Sequence, residues 1–349
     1  MTQQQTNDRS ASKGSASQPY RSGFVAVVGR PNVGKSTLIN ALIGKQVAIA
    51  SSRPETTRKA IRGILTLDHA QLVLVDTPGI HKPRTLLGQR LNDVVDESLG
   101  EVDVIAFVLP ADQEIGPGDR RILARLEEQY ASKKHDDKHD DKHDDKSSLQ
   151  WKIPVIAVIT KIDMLDREQL VAKLVEIQQF ANFAELVPIS AQDGDNVDEL
   201  RDVLVNVTPE GPQMYPEDQI SEESPEDTIA ELIRGAFLEE LNDELPHSLA
   251  VTVDSIIYPE DDFNLGADGD AEATQPATGK VTVHVSLYVE RNSQKPIIIG
   301  HRAEHLVHVK KRLRTPLNRI IGAKSQLDMH VKVAKDWQSN PKQLQRLGF

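Results

Sequence analysis

The chain has 349 residues, no cysteine and a formal net charge of −12 at pH 7. That length supports two domains with proper cores, and the lack of cysteine excludes a disulfide framework and a thiolate metal site. No apolar stretch approaches the roughly 20 residues that span a bilayer; residues 1–22 are polar, lack the apolar centre of a signal peptide and read as a disordered tail, which together fit a soluble cytoplasmic protein.

Residues 23–28, Gly-Phe-Val-Ala-Val-Val, have the pattern of a buried parallel strand. They feed into Gly29-Arg30-Pro31-Asn32-Val33-Gly34-Lys35-Ser36, and from Ser36 and Thr37 to Ile43 the apolar spacing is helical, ending at Gly44. Strand, glycine-rich loop and helix in that order predict a phosphate cradle. Gly29 and Gly34 let main-chain N–H groups wrap a phosphate, Lys35 reaches the β- and γ-phosphates, and the Ser36 hydroxyl ligates Mg²⁺.

A second apolar run, Leu72-Val73-Leu74-Val75, ends in Asp76-Thr77-Pro78-Gly79. An acid at the carboxyl end of such a strand faces the ligand crevice of an open α/β sheet. There Asp76 would hold Mg²⁺ through a water, and the Gly79 N–H would sense the γ-phosphate. Alone, the tetrapeptide fits a plain β-turn equally well; its place after the cradle favours the switch.

Residues 153–159 form a third apolar strand closed by Thr160-Lys161-Ile162-Asp163. The Asp163 carboxylate would accept two hydrogen bonds from the N1–H and N2–H₂ edge of guanine, a pair that adenine lacks. Lys161 has a stem long enough to cover one face of the base. Val187-Pro188-Ile189 leads into Ser190-Ala191, where the Ala191 N–H would meet guanine O6. Ahead of this strand, residues 135–146 are three copies of His-Asp-Asp-Lys inside an insertion at 133–148. His135, His139 and His143 would share one face of a helix and bind a divalent metal; a solvated loop is the favoured reading.

The carboxyl-terminal part differs in charge. Residues 281–349 carry 13 Lys/Arg against 4 Asp/Glu, a net +9, so the first 280 residues carry −21. A basic end on an acidic body fits a tethered nucleic-acid module, and a solvated helix face is the bland alternative. Between Thr228 and Leu245 the apolar spacing is helical. Strands are predicted at 251–253 and 281–287, joined across an acidic, Gly-rich loop at 259–279. Ile297-Ile298-Ile299 read as core residues first and an apolar floor for bases second. A loop at 300–303, a basic helix that Pro316 would kink or shorten, and a strand at 328–333 complete the unit.

The ordered motifs match the translation-factor-related GTPases, which carry a P-loop, a switch threonine, DxPG, [NT]KxD and SA. A narrower resemblance is to the Era family, carried by residues 215–221, Tyr-Pro-Glu-Asp-Gln-Ile-Ser, and by the run from Val289 to Gly300. It covers the chain from about residue 20 onward, two insertions aside. It implies a doubly wound P-loop GTPase α/β domain at 23–209, a linker at 210–227 and a smaller α+β KH-like domain at 228–349.

By the same resemblance Thr56-Thr57-Arg58 falls at the first switch, with Thr57 the Mg²⁺ ligand beside Ser36 and Asp76; an ordinary loop Thr-Thr is the alternative. Lys35, Thr57 and Gly79 are then the catalytic set. Asn32 would help hold K⁺ or simply cap its loop. RNA would be held by Lys295, Ile298, the loop Gly300-His301-Arg302-Ala303, and Lys310, Lys311 and Arg314.

Three departures stand out. Thr160 replaces the usual Asn, with a shorter reach to the P-loop. Ile80 stands where many small GTPases place a water-orienting glutamine. Ala303 replaces the last glycine of the KH loop, which argues against positive φ there.

The implied function is a GTP-hydrolysing switch in small ribosomal subunit (30S) assembly that binds 16S ribosomal RNA near its 3′ end. It would be a cytoplasmic monomer, with peripheral membrane contact a further expectation. The rivals are a GTP-gated RNA scaffold with negligible turnover and a tRNA-modification GTPase.

Overall fold

The computed structural model describes residues 19–48, 58, 60–79, 85–133, 149–241, 248–259 and 279–349. The amino-terminal domain is a six-stranded sheet in the order β2-β3-β1-β4-β7-β8. Its strands are β1 (Arg21–Val28), β2 (Ile61–Leu67), β3 (Ala70–Asp76), β4 (Val104–Pro110), β7 (Val155–Thr160) and β8 (Glu185–Pro188). Only β2 runs antiparallel, against β3; the remaining pairs are parallel. A small antiparallel pair, β5 (Ala131–Lys133) and β6 (Leu149–Trp151), stands apart.

Parallel strands need crossovers, and the helices supplying them cover both faces. One face buries Leu38, Ile39 and Leu42 of α1 (Lys35–Ile43) with Leu200 and Leu204 of α5 (Val197–Val207). The other buries Val95 and Leu99 of α2 (Leu86–Leu99), Ile122 and Leu126 of α3 (Pro117–Tyr130) and Ile177 of α4 (Arg167–Phe180). With both faces covered the strands read as continuous apolar runs, which is why β1, β3 and β7 stand out in the sequence.

The carboxyl-terminal domain runs helix, two strands, two helices and strand. These are α6 (Pro225–Glu240), β9 (Ala250–Ile257), β10 (Val281–Val289), α7 (Lys295–Ile299), α8 (Glu304–Ile321) and β11 (Ser325–Val333), followed by α9 (Pro341–Arg346). In its sheet β10 is central, antiparallel to β9 and parallel to β11. Ile229, Ile233 and Phe237 of α6 and Val309, Leu313 and Leu317 of α8 pack on it.

Three details differ from the sequence reading. Pro316 lies inside α8, which runs unbroken to Ile321 and closes on Gly322 at φ 75°. Of the isoleucine run only Ile298 is fully buried, whereas Ile297 is 50% exposed. The linker is hydrogen-bonded to the first sheet: Ile64 N donates to Ile220 O (2.9 Å) and Glu222 N to Arg62 O (3.2 Å). The His-Asp-Asp-Lys copies, Leu245 and most of the acidic loop lie outside the described residues. Among the described residues no helix is long and apolar enough to cross a membrane, and no group of three metal-ligating side chains occurs.

Phe237 is fully buried between helix and sheet. Phe237→Ala is expected to cost about 3–5 kcal/mol of stability, read as a lower midpoint in denaturant unfolding; a change under about 1 kcal/mol would contradict this packing.

Candidate nucleotide site and basic helix

The parallel register sets the carboxyl ends of the strands side by side. Val27 on β1 is level with Asp76 on β3, and Pro110 on β4 with Thr160 on β7. All the motif loops therefore leave the sheet along one edge, where ligands of open α/β sheets bind.

The loop after β1 is shaped by close approach. A Cβ on Gly29 would lie 2.8 Å from Val108 O and 2.9 Å from Val33 Cγ2, so only glycine fits. Asn32 (φ 63°) and Gly34 (φ 101°) take left-handed backbone, which curls the loop over the start of α1. The Lys35 ammonium points into this curl and donates to Gly29 O (3.2 Å) and Arg30 O (3.0 Å). Burial pulls its pKa down to about 8, with the charge of Asp76 opposing that shift.

Ser36 Oγ donates to Asp76 Oδ2 at 2.7 Å. Two hard oxygens this close, beside the cradle, fit a Mg²⁺ ion. Thr77 turns inward and donates to Val27 O (2.9 Å). Gly79 lies so near the P-loop that a Cβ there would meet Pro31 N at 2.8 Å. Pro78 lies between them, while Thr57 and Ile80 fall outside the described residues.

Thr160 reaches the P-loop despite its short side chain: its Oγ1 donates to Val33 O at 2.6 Å in a buried bond. Lys161 has φ 61°, and its ammonium pairs with Asp112 at 3.2 Å. Asp163 Oδ1 accepts from Ser190 Oγ (2.7 Å), and Ile162 N donates to Ile189 O (3.3 Å). The Ser190-Ala191 turn is thereby fastened to the segment that carries Asp163.

Two partners were not evident in the sequence. Asp119, wholly buried, pairs with Arg30 at 2.8 Å and also accepts from Gly116 N at the start of α3 (2.9 Å). Its place three residues into a helix after Gly-Pro was the available signal. Asp112 follows β4 with no motif around it.

On the other domain the loop after α7 is left-handed at Gly300 (φ 76°), Arg302 (φ 52°) and Ala303 (φ 63°). The expectation that alanine would keep Ala303 out of positive φ is thus corrected. Alanine tolerates αL at about 1–2 kcal/mol, and the packed helices either side impose the turn. Ile298 also needs correction as an RNA contact, since its side chain is in the core; Ile297 and Val307, 50% and 61% exposed, are the apolar surface there. Val307, Lys310, Lys311 and Arg314 share the outer side of α8, opposite the buried Val309 and Leu313. Lys295 is half-buried, and His301 and Arg302 are exposed.

Comparison with known proteins agrees with both halves. Residues 24–161 match a family described as 50S ribosome-binding GTPase, and residues 270–338 match the KH domain. GTPase Era of Streptomyces coelicolor is 46% identical over 335 residues, covering 95% of each chain. The Mycobacterium tuberculosis protein of that name is 46% identical over 331 residues, 95% of this chain and 99% of its own.

The chain belongs to the Era family of GTPases.

Two solved Era structures superpose on it over 94% of this chain and 99% of theirs, each at 31% identity. One, in complex with MgGDPNP and nucleotides 1506–1542 of 16S ribosomal RNA, has a TM-score of 0.80. The other, an Aquifex aeolicus Era variant bound to GDP·AlF4⁻, has 0.78. Members of this family are GTPases, and the nucleotide they bind is accompanied by Mg²⁺.

Two outcomes follow for the site. Replacing Asp163→Asn should lower GDP affinity by roughly a hundredfold and shift preference toward xanthosine diphosphate; undiminished guanine selectivity in a competition assay would remove Asp163 from the base site. Lys35 titrates at about 8 in the folded chain and at about 10.5 when unfolded. Between those values the unfolded chain binds the extra proton, so stability without nucleotide should rise with pH, by at most about 1.4 kcal/mol per pH unit. Lys35→Met should abolish that rise in paired thermal melts.

Proposed function

We propose that the chain is a GTP-hydrolysing switch that holds small-subunit ribosomal RNA and acts in assembly of the small ribosomal subunit. The observation that carries the reading is the Thr160–Val33 bond, which makes the phosphate cradle and the guanine segment one site, on a chain that also bears the basic face of α8. Support comes from the Era complex with 16S nucleotides, which aligns along nearly the whole chain.

In this reading residues 23–209 form the nucleotide domain, 210–227 the linker and 228–349 the RNA domain. The P-loop from Gly29 to Thr37 wraps the phosphates, and Lys35 neutralises charge developing on the β- and γ-oxygens. Ser36, Thr57 and Asp76 hold Mg²⁺, which supplies a Lewis acid at the phosphate oxygens. The Gly79 N–H, on a segment packed close to Pro31, senses the γ-phosphate. Asp163 and Ala191 read guanine, and Lys161, oriented by Asp112, covers the ring. Asn32 contributes a carbonyl to a K⁺ ion beside the phosphates, which compensates for an apolar residue at position 80. The protein works as a monomer in the cytoplasm.

Single-turnover hydrolysis should be faster in K⁺ than in Na⁺ and should respond to RNA; a rate at background with both present would leave a GTP-gated scaffold instead. The RNA assignment has its own test. Lys310→Ala with Lys311→Ala should weaken binding to a 16S 3′-terminal oligonucleotide and reduce the salt slope by about 1 for each phosphate no longer neutralised. An unchanged slope would move the RNA interface off α8.

A further inference from the structure

Arg30 is the second residue of the phosphate cradle, yet its guanidinium is turned to the start of α3. Its Nε donates to Asp119 Oδ1 at 2.8 Å, and its Nη2 stands 3.5 Å from Glu114 O. The stem is held closely too: a Cβ on Gly118 would lie 2.6 Å from Arg30 Cδ and 3.0 Å from its Cγ. Asp119 is wholly buried, and its second oxygen, Oδ2, accepts from Gly116 N at 2.9 Å. Capping α3 needs only one of these two oxygens. The other faces a residue 89 positions earlier. A buried carboxylate that met no cation there would be costly.

The loop that leads into α3, residues 111–116, is itself tied down. Ala111 N donates to Thr160 O (2.8 Å), Asp112 pairs with Lys161 (3.2 Å), and Gln113 O accepts from Lys173 Nζ of α4 (2.5 Å). Thr160 and Lys161 belong to the guanine segment. The Arg30–Asp119 pair therefore fastens the P-loop to a stretch of chain that also holds that segment. What the pair steadies on the P-loop side is backbone. Arg30 O accepts from Lys35 Nζ (3.0 Å), and the next residue, Pro31, packs so closely on Gly79 that a Cβ there would meet Pro31 N at 2.8 Å. Arginine suits the task, because its Nε–H and its charge meet the carboxylate together, whereas lysine carries both at the tip of a flexible stem.

We propose that Asp119 is a positioning residue for nucleotide binding: through the Arg30 side chain it fixes the P-loop backbone at Arg30 and Pro31, against which Lys35 and the Gly79 segment are set. This rests on the reading of residues 29–37 as the phosphate cradle. With the pair intact, the curl of the loop is set before a nucleotide arrives. Without it, binding must also order that backbone, at a cost in affinity. The effect falls on the phosphates and not on the base, because Asp163 and Ser190 hold each other without Arg30.

The test uses the full chain with Arg30→Ala, Arg30→Lys, Asp119→Asn and the double variant Arg30→Ala with Asp119→Asn. Asparagine keeps an acceptor for Gly116 N, so the helix cap survives while the ion pair is lost. Kd values for GDP and inosine diphosphate are measured below the melting midpoint of each variant, which thermal melts without nucleotide supply. Each single change should weaken GDP binding by about tenfold, and the double variant should bind no worse than the weaker single one. The ratio of GDP to inosine diphosphate affinity should stay within about twofold of the unaltered chain. GDP affinities unchanged beside lowered melting midpoints would make the pair merely structural and overturn the proposal. Losses that add in the double variant would overturn it too, as would a changed ratio, since the base segment would then have moved. Failure of the unaltered chain to bind GDP would instead overturn the reading of the cradle.

Discussion

The hydrogen bond from Thr160 Oγ1 to Val33 O, 2.6 Å long and buried, joins two loops that lie 127 positions apart. It depends on β1, β4 and β7 lying in parallel register, so that the loop after one strand can reach the loop after another. With that tie in place the turn at Lys161 and the Asp163–Ser190 pair have a defined position relative to the phosphate cradle. The segments proposed to meet the base and the phosphates thereby face one site. Threonine achieves this with one hydroxyl where a longer amide is usual, which requires the two loops to stand close together.

The second organising feature is the seam between domains. There apolar residues around Trp337 pack together, and the buried guanidinium of Arg58 enters from the other side. A buried guanidinium held by aromatic faces and a carbonyl makes such a seam specific in geometry. Arg58 and the helix α2 both run into it, through the Leu249 carbonyl and the carboxyl-terminal Phe349.

Much of this was legible in the sequence because buried parallel strands leave continuous apolar runs and because glycine is demanded where backbone approaches backbone. β1, β3 and β7, the P-loop, and the order of elements in the second domain were all readable on those grounds. At Ala303 the KH loop departs from its sequence expectation, since residue preference is a local quantity whereas the φ of 63° follows from the helices on either side. Three consecutive isoleucines have no internal period, so the sequence could not say that Ile298 turns inward and Ile297 outward. Arg58 was invisible as an anchor because its carbonyl partner lies 191 positions further along. The Lys161–Asp112 pair and the Arg30–Asp119 pair likewise exist only across the fold, although the helix-capping role of Asp119 is local.

The docking of the linker has a consequence for solubility. An open sheet ends in strands with unpaired amide and carbonyl groups, which invite pairing with another chain. Here β2, the outermost strand on one side, has Ile64 N and Arg62 O taken by Ile220 and Glu222. At the opposite border β8 is four residues long and finishes in Pro188, which has no N–H to offer. Neither border of the nucleotide-binding sheet is left as a template for fibril-like stacking, and the stretch that connects the two domains serves as the guard on one of them.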